Sequence, residues 1–334
     1  MKKKSCSAIL FLVIILFGVM TSCGPGSSHI TTITTTDNGW DSQKLHNAIA
    51  KLVIEHAYKD YKVKHSTAST AMNWESMKKG DVDIDIESWT DNIASFTEDV
   101  NRGDVIVIGT LLPDSKQGVY VPKYMIEGDP SRGIAPLTPG LKTVKDLAKY
   151  AKFFPDDENP SMGRLFGATP GWQADGILYN KYLYYGLDKT YNYVRLGSEA
   201  TIFASLTSAY NLGEPWVGYC YEPTWITGKL DIVLLEDEPY EPEGFLEGKT
   251  AFSFQELKIV CNDSFPGKAP EILKFLERYQ TSSELISKAL AYLDDTKASH
   301  DNTAVWFLQT HDELIDQWLP AGNAKKLREY LSQK

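Results

Sequence analysis

The sequence lacks the short motifs that mark the common enzyme classes. It contains no GxSxG nucleophile elbow, no Walker phosphate-binding loop, no GxGxxG dinucleotide loop, no CxxC pair and no HExxH zinc motif. The six histidines do not pair at metal-ligand spacing, so we expect neither a resident metal nor a cofactor. Asp175, Glu214 and Glu222 are candidates for the acid pair of a glycoside hydrolase, but nothing in the sequence brings two of them together. We therefore do not expect an enzyme, and keep a surface carbohydrate-active enzyme as the alternative of another class.

Basic residues and cysteines are also scarce. The 334 residues include 34 Lys and Arg against 44 Asp and Glu, a formal net charge of −10. Nucleic acids are bound through basic stripes, so this acidic balance argues against a nucleic-acid partner. Four cysteines in this length exclude a disulfide-dense scaffold. The length and the 43% hydrophobic content suit about two domains with a large core.

The first 29 residues have the pattern of an export signal followed by a tether. Lysines at positions 2 to 4 precede an apolar run over residues 8–20, which is too short for the roughly 20 residues of a membrane span. The run ends at Met20-Thr21-Ser22-Cys23, which resembles a bacterial lipobox with Cys23 as the lipidated residue. We therefore predict a signal peptide over residues 1–22 and a lipid-anchored tether over residues 23–29. The alternatives are an ordinary signal peptide with a chance cysteine, or a short N-terminal anchor.

The predicted signal places the rest of the chain outside the cytoplasm, anchored to the cell membrane on its periplasmic side or at the cell surface. No other apolar run approaches 18 residues. This compartment permits a disulfide between Cys220 and Cys261, but two buried free thiols are the favoured interpretation.

Strand-like and helical patterns alternate along the rest of the chain. The predicted strands cover residues 30–36, 61–65, 82–86, 105–112, 164–169, 192–195, 216–221, 232–235 and 258–261. The alternation predicts an α/β fold with parallel sheets covered on both faces. Two such sets indicate two lobes, which we place at residues 30–118 plus 255–334 and at residues 119–254. In such folds ligands bind beyond the carboxyl ends of the strands.

Three acids imitate the start of a calcium-binding EF-hand loop, namely Asp81, Asp83 and Asp85. That loop requires Gly at its sixth position and Glu at its twelfth, where this chain has Ile86 and Asn92. The acids alternate with apolar residues, so we predict that they lie on the solvated face of a strand.

Four aromatic residues lie at or just after the ends of predicted strands: Trp40, Trp89, Trp172 and Tyr221. A single Trp in such a loop is typical of a lid on the core. Four rings at the same end of two sheets instead predict a cavity whose negative π-faces suit a quaternary ammonium cation. Trp216 and Trp225 lie away from this end, so we predict that both pack in the core.

The chain contains four stretches, in this order: GWDSQKLHN, GDVDIDIESWTDN, ATPGWQADG and GEPWVGYCYEPTW. Together they resemble the substrate-binding proteins of glycine betaine, proline betaine and choline ABC importers, over nearly the whole chain after the signal. The resemblance implies a two-lobed periplasmic-binding-protein fold with a hinge and an interlobe ligand cleft. It also implies no catalysis, a small quaternary ammonium ligand in an aromatic box, and an ABC permease with its ATPase as partners. A choline- or carnitine-binding receptor of the same type and a sensory module remain alternatives.

The resemblance also assigns roles to particular residues. Trp89 and Trp172 match box aromatics of the family, and Tyr221 stands where many members have Trp. Trp40 matches an aromatic that contributes in choline-type members, and Tyr120 is expected as a fifth wall. A Tyr keeps a π-face and adds a hydroxyl, so we expect the box to survive at position 221 with altered affinity.

The other end of the ligand separates a betaine from choline, because both carry the same trimethylammonium group. A carboxylate needs N–H donors, and Gly171 and Gln173 stand where the chain is predicted to enter a helix whose first N–H groups lack partners. Choline-binding members place an acid two residues after the first-loop Trp, where this chain has Ser42. Asp41 stands one residue early and is expected to cap its helix. We therefore expect a carboxylated betaine to be preferred over choline.

Overall fold

The computed structural model describes residues 30–252 and 255–334, so Cys23, the predicted signal peptide and the predicted tether lie outside the described residues. The strands are β1 Thr31–Asp37, β2 Tyr61–Thr67, β3 Ile84–Ser88, β4 Val105–Pro122, β5 Gly163–Phe166, β6 Tyr191–Val194, β7 Gly218–Glu222, β8 Ile232–Leu234 and β9 Gln255–Asn262.

The longer helices are α1 Asp41–Ala57, α2 Thr70–Lys78, α3 Phe96–Arg102, α6 Gln173–Tyr184, α7 Glu199–Leu212, α11 Pro270–Leu276, α12 Ser283–Thr296, α13 His300–Thr310, α14 Asp312–Trp318 and α15 Ala321–Leu331. The short ones are α4 Tyr124–Glu127, α5 Leu147–Tyr150, α8 Trp225–Lys229, α9 Pro242–Phe245 and α10 Phe265–Lys268. Single 3₁₀ turns cover Thr90–Asn92, Pro130–Arg132, Val144–Asp146, Ala151–Phe153 and Leu187–Lys189. Among the described residues, no helix is both long enough and apolar enough to span a bilayer.

The strands run in the order β2-β1-β3-β9-β4-β7-β5-β6, with β8 also paired to β4. The long strand β4 pairs with β9 from Val105 to Ser115 and with β7 from Lys116 onward. We call β1, β2, β3 and β9, with the helices α1 and α2, the first lobe. We call β5 to β8, with α6 and α7, the second lobe. The partner of β4 changes three residues before the predicted limit at residue 118, and the exact lobe limits stay a prediction.

The predicted parallel pairing is confirmed only for the outer strands. β1 is parallel to β2 and β3, and β5 is parallel to β6 and β7. β4 and β9 instead pair antiparallel with each other and with their other neighbours. They run oppositely because β4 carries the chain towards the second lobe and β9 brings it back. β4 also runs ten residues past its predicted end at residue 112, through register shifts around the turn-forming Pro113 and Asp114.

The prediction that the acids at positions 81, 83 and 85 face solvent holds for Asp81, which is exposed, but is wrong for Asp83, just before β3, and for Asp85 within it. Asp83, Asp85 and Glu87 are only 2%, 3% and 0% exposed. The Lys268 ammonium donates to both oxygens of Asp83 at 2.8 Å, and the Gln43 amide of α1 donates to Asp85 at 2.8 Å. β3 lies between β1 and β9, and α1 covers the face that carries the acids, so each carboxyl is buried but has polar partners.

Trp216 and the two cysteines of the described chain behave as predicted. Trp216 is 2% exposed and stacks on Phe166 with ring centroids 5.6 Å apart. Trp225 is half-buried and meets the core edge-on at Phe203, 6.0 Å between centroids. Cys220 and Cys261 are both buried and both free.

Candidate ligand-binding site

A cavity opens between the two lobes, with an empty volume of about 330 Å³ that includes its opening to solvent. Its lining consists of Trp40, Thr70, Trp89 and Asn92 from the first lobe and Trp172, Gln173, Ala174, Tyr219 and Tyr221 from the second. No Lys, Arg or His stands among these lining residues. The cavity is therefore walled by rings from both lobes and carries no positive side chain.

Each of the four predicted box rings lies at the end of a strand or at the start of a helix. Trp40 directly precedes α1, after a turn in which Gly39 adopts a φ of +99° that only glycine takes without strain. Trp89 directly follows β3, Trp172 directly precedes α6, and Tyr221 lies near the end of β7. The structure thus brings together four aromatic residues that the sequence placed at one end of two sheets.

The rings meet edge to face, both across the cleft and within the second lobe. Trp40 of the first lobe lies 5.3 Å from Trp172 of the second, with an interplanar angle of 85°. Trp89 lies 5.6 Å from Tyr221 at 87°, and Trp172 lies 5.9 Å from Tyr221 at 84°. Perpendicular rings form the corners of a box, so several π-faces can surround one cation at once.

A buried carboxyl, Glu87, holds the first-lobe rings. Its Oε1 accepts the indole N–H of Trp40 at 2.9 Å, the indole N–H of Trp89 at 3.2 Å and the hydroxyl of Ser42 at 2.8 Å. Its Oε2 has no hydrogen-bond partner among the residues that the structure describes and lies 4.0 Å from Nε2 of the buried His46. Burial raises the pKa of Glu87 to about 8 and lowers the pKa of His46 to about 3, so the two do not form an ion pair near neutral pH.

A second buried carboxyl, Glu199 at the start of α7, holds the second-lobe ring Tyr221. Its Oε1 accepts the Tyr221 hydroxyl, and its Oε2 accepts the backbone N–H of Asp41 in the first lobe at 2.8 Å. Burial raises the pKa of Glu199 to about 8 as well. No local sequence signal marks Glu87 and Glu199 for this role, because only the folded chain brings them behind the rings.

Two further hydrogen bonds join the lobes beside the cavity. The Trp172 indole donates to the backbone carbonyl of Asn38 at 3.0 Å. The backbone N–H of Thr70 donates to the carbonyl of Gly171 at 3.3 Å. Gly171 has a φ of +92°, and a Cβ there would lie 3.2 Å from the Cβ of Ser69, so glycine allows this close approach of the lobes. Gly171 itself is not a lining residue, whereas Gln173 is.

The structure does not bring Tyr120 to the cavity and supplies Tyr219 instead. Tyr120 of β4 pairs with Gly218 of β7, so it shares the sheet face of Gly218 and Glu222, and its hydroxyl donates to Glu222 at 3.5 Å. Tyr219 and Tyr221, two residues apart, point to the other face, towards the cavity. The period of two in Tyr219-Cys220-Tyr221 was the signal that could have identified Tyr219.

Asp41 does not line the cavity, but contrary to the expectation it does not cap its own helix either. The N-cap position of α1 is Trp40, which makes no side-chain capping bond, and Asp41 is the first helical residue. The Asp41 carboxylate faces Lys44 at 3.6 Å and His300 at 3.3 Å. The carboxylate that accepts a hydrogen bond from the first turn of α1 is that of Glu199, in the other lobe.

The acids considered for glycoside cleavage are not assembled into a pair. The Asp175 carboxylate accepts from the Arg195 guanidinium at 2.7 Å and from the Tyr193 hydroxyl at 2.9 Å. Glu214 is exposed, and Glu222 faces Tyr120. None of the three lines the cavity.

An α/β fold of two lobes with a ring-lined cavity between them defines a class, the solute-binding proteins of periplasmic type. The profile of the family described as "Substrate binding domain of ABC-type glycine betaine transport system" matches residues 31–310. The chain belongs to this family, whose members are extracytoplasmic solute receptors of ABC transporters and not enzymes.

Solved structures of low sequence identity share the fold. The glycine betaine/L-proline-binding protein ProX from Borrelia burgdorferi has 18% identity and a TM-score of 0.70, covering 89% of this chain and 99% of that one. A choline-binding protein of an ABC transporter, in complex with choline, has 16% identity and a TM-score of 0.70, covering 90% and 98%. Lactococcal OpuAC, closed on glycine betaine, has 16% identity and a TM-score of 0.67, covering 87% and 100%. No curated protein sequence matches the chain significantly.

Proposed function

We propose that this protein is a lipid-anchored receptor that captures a carboxylated quaternary ammonium compound, glycine betaine or a related betaine, for ABC import. The observation that carries the proposal is the cavity itself, in which five rings from two lobes surround one space. A trimethylammonium group cannot donate ordinary hydrogen bonds and is attracted to π-faces. The lining has no positive side chain to repel it, and Glu87 and Glu199 stand behind the rings.

The start of α6 is the proposed site for the ligand carboxylate. Gln173 and Ala174, the first two residues of this twelve-residue helix, line the cavity. The first N–H groups of a helix lack intrahelical acceptors and carry partial positive charge, which favours an anion. A choline hydroxyl would need an acceptor near Trp40, but Asp41 turns to Lys44 and His300. This arrangement supports a betaine over choline, and a choline- or carnitine-binding receptor is the alternative.

The ligand would bridge the lobes and favour the closed state, because each lobe supplies part of the box. The closed protein would then deliver its ligand to a membrane permease driven by an ATPase. Lipidation at Cys23 would keep the receptor at the membrane outside the cytoplasm. Membrane fractionation of cells that carry Cys23→Ala tests this anchoring, since the unlipidated protein should leave the membrane fraction or keep its signal peptide.

Calorimetric titration of the mature chain with glycine betaine, proline betaine, carnitine, choline and trimethylamine N-oxide tests the ligand. We expect the tightest binding for a carboxylated betaine, and choline to bind more weakly at the same ionic strength. A monosaccharide panel under the same conditions should give no heat of binding. Tighter binding of choline than of every betaine would refute the carboxylate preference, and binding of sugars alone would refute the quaternary ammonium assignment.

A further inference from the structure

Glu199 contacts the aromatic box and the opposite lobe with the two oxygens of one carboxyl. Its Oε1 accepts the hydroxyl of Tyr221, and its Oε2 accepts the backbone N–H of Asp41 across the cleft at 2.8 Å. The residue is 4% exposed. Glu87 differs in this respect, because its three donors, Ser42, Trp40 and Trp89, all belong to the first lobe.

The Glu199 carboxyl lies at the N-terminal ends of two helices, α1 and α7. Asp41 is the first residue of the 17-residue helix α1, and Glu199 is the first residue of α7. The first N–H groups of a helix need acceptors from outside the helix, which an N-cap side chain ordinarily provides. Trp40 stands at the N-cap of α1 and provides none. Glu199 therefore does for α1, from the other lobe, what a capping Ser or Asp does within a helix.

We propose that Glu199 is the positioning residue that couples the aromatic box to closure of the lobes, by capping α1 of the first lobe while it holds Tyr221 of the second. We call the two hydrogen bonds that Glu199 accepts, from the Tyr221 hydroxyl and from the Asp41 N–H, the latch. The proposal takes the ligand from the proposed function, but the latch follows from these contacts alone. When the lobes separate, the first N–H of α1 loses its acceptor. The Glu199 carboxyl that holds Tyr221 then no longer has the Asp41 N–H to fix its own position. When the lobes close, the Glu199 carboxyl positions the Tyr221 ring and caps the first turn of α1 at the same time.

The charge of the ligand reinforces this coupling. The ionisable groups that face Glu199 are Asp41, Lys44 and Tyr221, and Glu87 faces the same Tyr221 ring from the first lobe. Because burial raises the pKa of Glu199 to about 8, the carboxyl is largely protonated at pH 7. A quaternary ammonium ion against the Tyr221 ring favours the ionised form. The ionised carboxylate is also the form that accepts from both the Tyr221 hydroxyl and the Asp41 N–H.

The test compares Glu199→Gln with Glu87→Gln in a closure assay. Dyes are placed on cysteines introduced at Lys64 and Asp188, exposed positions of the first and second lobes, and closure is followed by single-molecule energy transfer with and without glycine betaine. A glutamine has one acceptor oxygen and one donor nitrogen, so it cannot accept from both partners of Glu199. At pH 9, above its pKa of about 8, Glu199 is ionised even without ligand, so the assay is run there. We expect Glu199→Gln to lower the closed population in both conditions and to raise the dissociation rate of betaine about tenfold. Glu87→Gln should weaken binding but leave closure at saturating ligand unchanged.

Two controls keep the result interpretable. Glu214→Gln removes an exposed acid of the second lobe and should change neither closure nor affinity. If Glu199→Gln does not fold, as judged by thermal unfolding, Glu199→Asp retains the charge, falls short of the Asp41 N–H and should open the lobes in the same way. Unchanged closure in the folded Glu199 variant, with and without ligand, overturns the proposal. If the parent binds no quaternary ammonium compound but the Glu199 variant opens the ligand-free protein, the proposed function fails and the latch stands.

Discussion

The two halves of the aromatic box are built in different ways. In the first lobe, Glu87 holds Trp40 and Trp89 through hydrogen bonds that stay within the lobe. In the second lobe, Tyr221 is held by a carboxyl that also reaches the first lobe, and the Trp172 indole donates directly to a first-lobe carbonyl. The hydrogen bonds of the first half therefore need no contact with the other lobe, whereas those of the second half depend in part on contacts across the cleft.

This difference suggests an order of events in binding. A preorganised surface binds without the entropic cost of ordering its side chains. We therefore expect the cation to meet Trp40 and Trp89 first, and the second-lobe rings to arrive as the lobes close. Variants in the second half should accordingly affect closure and dissociation, while variants in the first half should affect the initial encounter and charge selectivity.

Trp172→Ala should have the largest effect on affinity. It removes a wall of the box that contacts both Trp40 and Tyr221, and it removes the hydrogen bond to Asn38 across the cleft. We expect betaine binding to weaken by about 2 kcal/mol or more, the scale of a desolvated cation–π contact. Trp216→Ala is the control. That tryptophan is buried away from the cavity, so its loss should lower the melting temperature and leave the dissociation constant within about twofold. Equal affinity of Trp172→Ala and the parent would disprove the box.

Glu87→Gln should have the next largest effect, and a selective one. The glutamine keeps the size and one acceptor oxygen but cannot acquire the negative charge behind Trp40 and Trp89 that a bound cation favours. We expect glycine betaine to bind about tenfold more weakly, corresponding to roughly 1.4 kcal/mol. The carbon analogue 3,3-dimethylbutanoate, which keeps the shape and the carboxylate but has a neutral tert-butyl group in place of the trimethylammonium group, should lose little. If both ligands lose the same factor, Glu87 only shapes the box and does not select for charge.

The pH dependence of binding should show a smaller, several-fold effect. Burial raises the pKa of both Glu87 and Glu199 to about 8, so both ionise as the pH rises from 6 to 9. His46 and Asp85 face Glu87, and Asp41, Lys44 and Tyr221 face Glu199. A bound cation favours the ionised carboxyls, so affinity should rise over this interval and binding below pH 8 should release protons. Calorimetry in buffers of different ionisation enthalpy measures this release, and heats independent of the buffer would contradict the expectation.

The stability of the ligand-free protein should change with pH in the opposite direction. A carboxyl whose pKa is higher in the folded than in the unfolded chain binds more protons when folded between the two values. Its contribution to the free energy of unfolding is present below about pH 4.5 and lost as the pH rises through 8. The melting temperature should therefore fall from pH 6 to pH 9, and Glu87→Gln should reduce this slope.

Asp41→Asn should have the smallest effect. The Asp41 side chain faces Lys44 and His300 and lies outside the cavity lining, while the group that serves the latch is its backbone N–H. We expect betaine affinity to stay within about threefold, since only an ion pair near the surface is lost. Competitive titration with choline provides the check. Tight choline binding in the parent that weakens on Asp41→Asn would reverse the assignment of the polar end of the ligand.

Local sequence signals predicted the ring-bearing loops well. Trp40, Trp89 and Trp172 each stand between a strand and a helix, and an α/β topology gathers such positions at one end of its sheets. The burial of the strand acids was not predictable in the same way. An alternation of acids and apolar residues indicates a strand but not its environment, and only the neighbours of β3 decide that Asp83 and Asp85 are buried among partners.

The sequence by itself determined the α/β class, the order of the elements and the presence of four aromatic residues near a common edge, because these depend on residues close together in the chain. The tertiary structure decided which side chains complete the site. The antiparallel register of β4 against β7 turns Tyr120 away and Tyr219 inward. The approach of the lobes brings Glu199 to the N–H of Asp41, 158 residues away. Such contacts depend on the relative placement of distant segments, and no local pattern encodes that placement.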